Sequence, residues 1–242
     1  MSMLKTRLEA TIGWAKKVRK ELGHLQLENG DRVHFRPSAT GAAMVGLTHD
    51  RPQRGKSGIR TFKKLIANFE DDFKAHCLPV EKGRDTPEKA LQSFLIRNAL
   101  SNARRMKALE KALGANSEVL FITDELSLPD GEDKVVCDLL ALRNGQTPVI
   151  IELKSARHLG RLVQQVKSYA NLIDSNRAEF SRLYSEVLGV TVTLRHAAEK
   201  WIVWPPPAKG DRGPGDVEVP DDIAVFVYRT AGYGEYGVTL VP

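Results

Sequence analysis

Two stretches of this chain place charged side chains inside otherwise apolar runs, VVCDLLAL around Asp138 and PVIIELKSA around Glu152 and Lys154. An ionised carboxylate among Val, Ile and Leu is costly to desolvate unless it is paired or bound to a metal. In a β-strand residues i and i+2 face the same way, so Glu152 and Lys154 share one face while Ile151 and Leu153 turn to the other. Between the two runs stands Arg143-Asn144-Gly145-Gln146, and Asn-Gly between apolar runs is a hairpin signal. Such a hairpin brings Asp138 beside Glu152. Two carboxylates and an ammonium then converge on one spot, and oxygen ligands of this kind suit Mg²⁺ or Mn²⁺. The chemistry that needs this arrangement is phosphodiester hydrolysis: a metal polarises the phosphoryl oxygen and activates water, and a lysine stabilises the developing charge.

Those residues must be positioned by their neighbours. From Pro87 to about Leu113, apolar residues at helical spacing (Leu91, Leu95, Ala99, Met106, Leu109) predict one long helix closed by Gly114. The runs VLFITDELSL, KVVCDLLAL and TPVIIELKS predict a three-strand antiparallel meander, with PDGED as the first turn. A helix over about 159–173 follows, then a shorter one near 178–188, then KWIVWPP as a buried strand stopped by Pro205 to Pro207. IAVFVYR and GVTLVP supply two more strand candidates, and the Gly- and Pro-rich stretch between residues 205 and 220 is expected as an exposed loop. The expected class is α/β, a central mixed sheet flanked by helices.

This pattern resembles the PD-(D/E)XK nuclease superfamily, the fold of many restriction enzymes, junction resolvases and recombination nucleases. The resemblance rests on Asp138 and, fourteen residues on, Glu152-Leu153-Lys154 in a strand–hairpin–strand context, and it spans about residues 85–205. It implies a restriction-endonuclease-like core and a Mg²⁺- or Mn²⁺-dependent endo- or exonuclease acting on nucleic acid, with DNA as the expected substrate. Asp138 and Glu152 would ligate the metal, the carbonyl of Leu153 would add a further ligand, and Lys154 would be the catalytic lysine. Cys137 stands where the family name has proline, a position that varies in the superfamily.

Two flanking features extend the resemblance. Gln165 and Tyr169, four residues apart on one helical face, are similar to a Q-x-x-x-Y motif that recurs near the metal in several nuclease branches. Glu88, on the stripe of Leu91 and Leu95, is similar to an acidic residue that many members supply from the first core helix. A plainer reading makes Glu88 a helix-start acid interacting with free amides, and Gln165 and Tyr169 a buried hydrogen-bonded pair. Arg157, His158 and Arg161 follow the strand of Glu152 in SARHLGR; the two arginines are candidates to grip phosphates, and nothing in sequence pairs with His158 for catalysis. Trp201 and Trp204, on an apolar strand, read as core.

The amino-terminal third reads differently. The net charge is +6, and residues 1–80 hold 15 Lys and Arg against 8 Asp and Glu, so the basic excess sits there. Residues 3–22 predict an amphipathic helix on Leu4, Leu8, Ile12, Ala15 and Val18, followed by a basic loop with Arg51, Arg54, Lys56, Arg60, Lys63 and Lys64 and a second helix near 59–75. A border near residue 80 divides this mainly helical basic segment, a candidate for nucleic-acid or partner binding, from the nuclease-like domain over 81–242. Arg54, Lys56 and Arg60 are candidate phosphate contacts; a solvated basic face is the plainer alternative.

The remaining features narrow the class. Cys77 and Cys137 are the only cysteines and form no zinc-binding spacing. No apolar run reaches bilayer length and no secretory signal is recognisable, so a cytoplasmic protein without a membrane partner is expected. A homodimer would suit a double-strand cutter. A nucleic-acid-binding module that keeps the fold without catalysis is the alternative function, and its mark would be loss of one acidic ligand or of the lysine; all three are present. A third reading, an unrelated α/β protein with a structural ion pair, would be selected if Asp138 and Glu152 failed to converge.

Overall fold

A computed structural model describes residues 3–22, 32–47, 52–54, 87–130, 133–155, 162–207, 219–232 and 235–241. Six strands form one mixed sheet in chain order: β4 (Val119–Asp130), β5 (Asp133–Arg143), β6 (Thr147–Leu153), β7 (Glu199–Trp204), β8 (Ile223–Gly232) and β9 (Glu235–Leu240). β4, β5 and β6 make the expected antiparallel meander. β6 to β7 and β7 to β8 are parallel, and β9 returns antiparallel. The β5–β6 turn is closed by Gln146 N–H to Arg143 C=O at 3.2 Å, with Asn144 at φ 48° and Gly145 at φ 72°, which is why Asn-Gly stands there. β6 is central and covered on both sides, which accounts for its continuous PVII run.

Helices cover both faces. α4 (Leu162–Ser175) and α5 (Arg177–Leu188) connect β6 to β7, as parallel neighbours require. α4 buries Leu162, Val166, Tyr169, Ala170 and Ile173, one stripe at helical spacing. With α5 and α1 (Met3–Lys17) it closes a core over Cys137, Leu140, Leu142, Ile150, Ile202 and Trp204. The opposite core joins α2 (Pro87–Ser101) and α3 (Lys107–Leu113) to Leu139, Ala141, Ile151, Leu153 and Trp201. Trp201 and Trp204 are thus core residues, one in each cluster. Among the described residues no helix is long and apolar enough to cross a membrane.

The single helix expected over 87–113 is two helices. After Ser101 the backbone leaves the helix, with Ala103 at φ 50° and Arg104 at φ 69°. Met106 N–H then donates to Val119 C=O at 2.7 Å, and Phe121 N–H donates to Arg104 C=O at 2.8 Å. Residues 104–106 thereby join β4, and hydrogen bonds to the sheet outweigh helical propensity, which amounts to at most about 0.7 kcal/mol per ordinary residue.

The region over residues 1–80, expected as mainly helical, also contains strands among its described residues. α1 forms as expected and continues as a π-helical turn over Val18–Leu22, but Arg32–Ser38 (β1), Gly41–Leu47 (β2) and Pro52–Arg54 (β3) form a three-stranded antiparallel sheet. The helix expected near 59–75 lies outside the described residues. α1 buries Leu8, Ile12 and Ala15 in the same core as α4 and α5, so residues on both sides of position 80 share a core. Lys5 pairs with Glu179 at 3.0 Å and Arg19 with Glu186 at 3.1 Å along the α1–α5 contact.

Candidate active site

Asp138 and Glu152 converge, and Lys154 lies between them. Lys154 Nζ donates to Glu152 Oε2 at 3.1 Å and to the Leu153 carbonyl at 2.9 Å, and stands 3.5 Å from Asp138 Oδ2. The strands lock the carboxylates through backbone bonds: Leu153 N–H donates to Asp138 Oδ2 at 2.9 Å, and Asp138 N–H donates to Glu152 Oε1 at 3.3 Å. The Lys154 backbone is tied in turn to β7, its N–H donating to Val203 C=O at 2.9 Å. The Glu152 side chain is 1% exposed, against 17% for Asp138 and 25% for Lys154, so solvent reaches the site over the latter two.

The electrostatics follow from this packing. Burial, reinforced by the neighbouring Asp138, pushes the Glu152 carboxyl up to about 8 despite Lys154. Burial alone would lower Lys154, but Glu152, Asp138 and Glu88 together outweigh it and raise its pKa. In the metal-free protein the lysine is therefore held as a cation at neutral pH. Glu88, half-buried in the first turn of α2, has its pKa raised, first by burial and then by Asp138 against the pull of Lys154; it also accepts a backbone hydrogen bond from Ser155. The acid that the sequence places on the first core helix thus lies within electrostatic reach of the trio.

Glu152 makes metal-free stability depend on pH. Its folded pKa lies above its unfolded value of 4.5, so the native state holds a proton that the unfolded chain has released. Stability should therefore fall as pH rises from about 4.5 to about 8. The raised Lys154 has the same sign, but its stabilising contribution is lost only above its ordinary 10.5, outside this window. His34, whose pKa burial depresses, costs stability only below 6.5. Denaturant unfolding of wild type and Glu152→Gln, each in EDTA, isolates the effect: the variant should gain on the wild type steadily between pH 5 and 8, and parallel profiles would refute the assignment.

An oxygen-donor metal fits the charge of this pocket but not a full side-chain cage. Three carboxyl groups (Asp138, Glu152 and Glu88) lie near one ammonium, and Glu152 is raised first by burial and then by the charge of Asp138. Among the described residues no group of three or more His, Cys, Asp or Glu side chains could hold a metal ion. Mg²⁺ commonly takes only one or two protein carboxylates and completes its shell with water and substrate phosphate, so Asp138 and Glu152, with the Leu153 carbonyl, are the groups that could hold one. Glu88 does not complete a side-chain cage.

Gln165 and Tyr169 hydrogen-bond to strand carbonyls and not to the trio. Gln165 Nε2 donates to Val136 C=O at 2.8 Å, two residues before Asp138, and Tyr169 Oη donates to Leu126 C=O at 3.1 Å, on the β4 residue paired with Cys137. Tyr169 is fully buried, and burial, with smaller contributions that include Glu152, holds its hydroxyl well above its ordinary pKa, hence protonated. Both residues dock α4 onto the strands that carry Asp138 and its neighbours, which makes them positioning residues. Arg157, His158, Arg161, Lys56 and Arg60 lie outside the described residues; Arg54 ends β3.

A chain of polar contacts behind the site escapes the motif reading. Gln92 Nε2, on α2, donates to the Asp138 carbonyl at 3.3 Å, and Gln92 Oε1 accepts from Lys89 Nζ at 3.0 Å. Lys89 pairs with Glu125, and Glu125 Oε2 lies 3.3 Å from Arg36 Nη1. Arg36 also donates through Nε to Asp124 Oδ1 at 2.9 Å and through Nη2 to Oδ2, while His34 Nε2 lies 2.9 Å from Oδ1. Glu125 adopts φ 42° on the strand segment opposite Asp138. The signal was available in ITDELSL, since Asp124 and Glu125 interrupt an apolar strand just as Asp138 and Glu152 do.

Comparison of the chain with protein-family models, with curated proteins and with solved structures yields no significant match, so function is inferred from these residues and their geometry.

Proposed function

We propose that the protein is a metal-dependent phosphodiesterase that hydrolyses nucleic acid, with DNA as the substrate, on a restriction-endonuclease-like core. The observation that carries the reading is the convergence of Asp138, buried Glu152 and charged Lys154 on adjacent central strands. Asp138 and Glu152 would hold Mg²⁺ or Mn²⁺ with the Leu153 carbonyl, and Glu88 would bias the site further toward a cation. When bound, the ion supplies Lewis-acid polarisation of the phosphoryl group and a more acidic water. Lys154 would then donate hydrogen bonds to the negative charge that builds on phosphate oxygens, from a backbone fixed by its N–H bond to Val203 C=O. Gln92, Gln165 and Tyr169 hold the strand backbones from which these groups project.

The decisive experiment incubates purified protein with circular and linear DNA, with Mg²⁺ or Mn²⁺ and with EDTA. Metal-dependent cleavage is expected, and cutting of the circle would show endonuclease action. A second reading, a nucleic-acid-binding module without catalysis, is favoured by one observation: Lys154 already bridges the carboxylates, and among the described residues no third carboxylate closes a metal cage. DNA retention without cleavage under either metal selects it. In either reading Arg54, Lys56, Arg60, Arg157 and Arg161 are the phosphate-binding cations. Their replacement by alanine should weaken DNA binding and flatten the slope of log K against log salt by about 0.9 for each phosphate no longer neutralised; an unchanged slope assigns them another task.

A further inference from the structure

A cavity of about 360 Å³ lies far from the trio in sequence, where the π-helical turn after α1, strand β1, the Ala103–Arg104 turn, β4 and the end of α5 meet. Its volume sits at the lower end of the about 300–1,000 Å³ typical of small-molecule sites. Val18, Phe35, Pro37, Val187 and Leu188 give it apolar walls. The polar lining groups are Arg19, His34 and Arg104, and their charges do not balance. Arg19 is matched by Glu186 at 3.1 Å. His34 is bonded to Asp124, and burial holds its imidazole below its ordinary pKa, which leaves it neutral at pH 7. Asp124 itself is matched by Arg36.

Arg104 remains. Burial pulls it down to about 10, still charged at neutral pH. Its Nη1 donates to the carbonyls of Phe121 and Ile122 at 2.9 and 3.2 Å, and among the described residues no carboxylate pairs with it. A guanidinium carries five donors, so most of its hydrogen-bonding capacity is unused. Arg104 is half-buried and lies 5.8 Å from the Phe121 ring centroid, and an anion entering the cavity would supply the counter-charge it lacks among the described residues. The backbone that presents it, at φ 69°, is strained for a non-glycine residue and is held there by the strand bonds of residues 104–106.

We propose that this cavity is a binding site for a small organic anion, a carboxylate or phosphate monoester on an apolar body, with Arg104 as the anion contact. Inorganic anions could satisfy the guanidinium but leave the apolar walls unused. Each methylene that reaches those walls should tighten binding roughly three- to fourfold. The site is independent of the nuclease reading, since it uses none of Asp138, Glu152 or Lys154.

Isothermal titration of the full chain with hexanoate, octanoate, thymidine 5′-monophosphate and inorganic phosphate tests this. One organic anion should bind with 1:1 stoichiometry and more tightly than phosphate. Octanoate exceeding hexanoate assigns a fatty carboxylate, and binding of the nucleotide alone assigns a phosphate monoester. Arg104→Met should weaken binding by about tenfold or more. Because that residue also anchors its turn, Val18→Trp is the companion variant: it fills the cavity, leaves the guanidinium in place, and should abolish binding while unfolding like the wild type. Failure of every organic anion to bind more tightly than phosphate would overturn the proposal. So would wild-type affinity in folded Val18→Trp or Arg104→Met.

Discussion

Lys154→Ala should lower metal-dependent DNA cleavage by about 10²- to 10³-fold while leaving metal affinity nearly intact, because it removes a donor to transition-state charge and keeps both carboxylates. Asp138→Asn should abolish cleavage by the other route, weakening the metal site, and raised Mg²⁺ should rescue it in part; raised Mg²⁺ should not rescue Lys154→Ala. Charge considerations alone suggest that Asp138→Ala relieves repulsion and stabilises the metal-free protein. The structure adds an opposing effect, since Asp138 Oδ2 accepts the Leu153 N–H at 2.9 Å and alanine would orphan that donor at a cost of about 1–3 kcal/mol. Asparagine retains an acceptor, which makes it the cleaner variant. Cleavage rates and metal titrations of the two proteins provide the check. If both cleave like a wild type that requires Mg²⁺, the trio is not the active site.

The second large effect is on stability. Asp124 is fully buried, and although burial by itself would raise its pKa, Arg36 and then the hydrogen bond from His34 hold it well below the usual carboxylate range. Asp124→Ala would strip Arg36, with a side chain only 12% exposed, of its two-point partner and leave it only the 3.3 Å contact with Glu125. Breaking a buried pair from one side costs about 3–5 kcal/mol, a large share of the about 5–15 kcal/mol that holds a domain together. Urea unfolding should show a loss of that size. The triple replacement His34→Leu, Arg36→Met, Asp124→Leu should recover much of it, since apolar residues of similar volume remove the desolvation cost together with the pair. A loss under about 1 kcal/mol in Asp124→Ala would mean that the cluster is not a stabilising link between the small sheet and β4. Because Arg36 also contacts Glu125, and Glu125 leads through Lys89 and Gln92 to the Asp138 carbonyl, cleavage by the triple variant would report how far the site depends on that link.

The sequence by itself determined the features governed by short-range periodicity. Glu152 and Lys154 share a face because strands alternate, Asp138 meets them because Asn144-Gly145 accepts the positive φ of a tight turn, and α4 presents Gln165 and Tyr169 on one stripe because they stand four residues apart. The meander, the two helices after it and the three later strands are legible for the same reason. Tertiary structure decided what depends on partners distant in the chain. The helix starting at Pro87 ends at Ser101 because residues 104–106 find hydrogen bonds on β4. The basic segment contains strands because β1 and β2 pair with each other and set His34 and Arg36 against Asp124, 90 and 88 residues away. Alternation predicts Cys137 and Leu139 on one face, yet they lie in opposite cores, across the stretch where Glu125 takes a left-handed conformation opposite Asp138. No local period encodes these outcomes, because each is settled by burying a charge or satisfying a backbone group against an element that only the folded chain brings near.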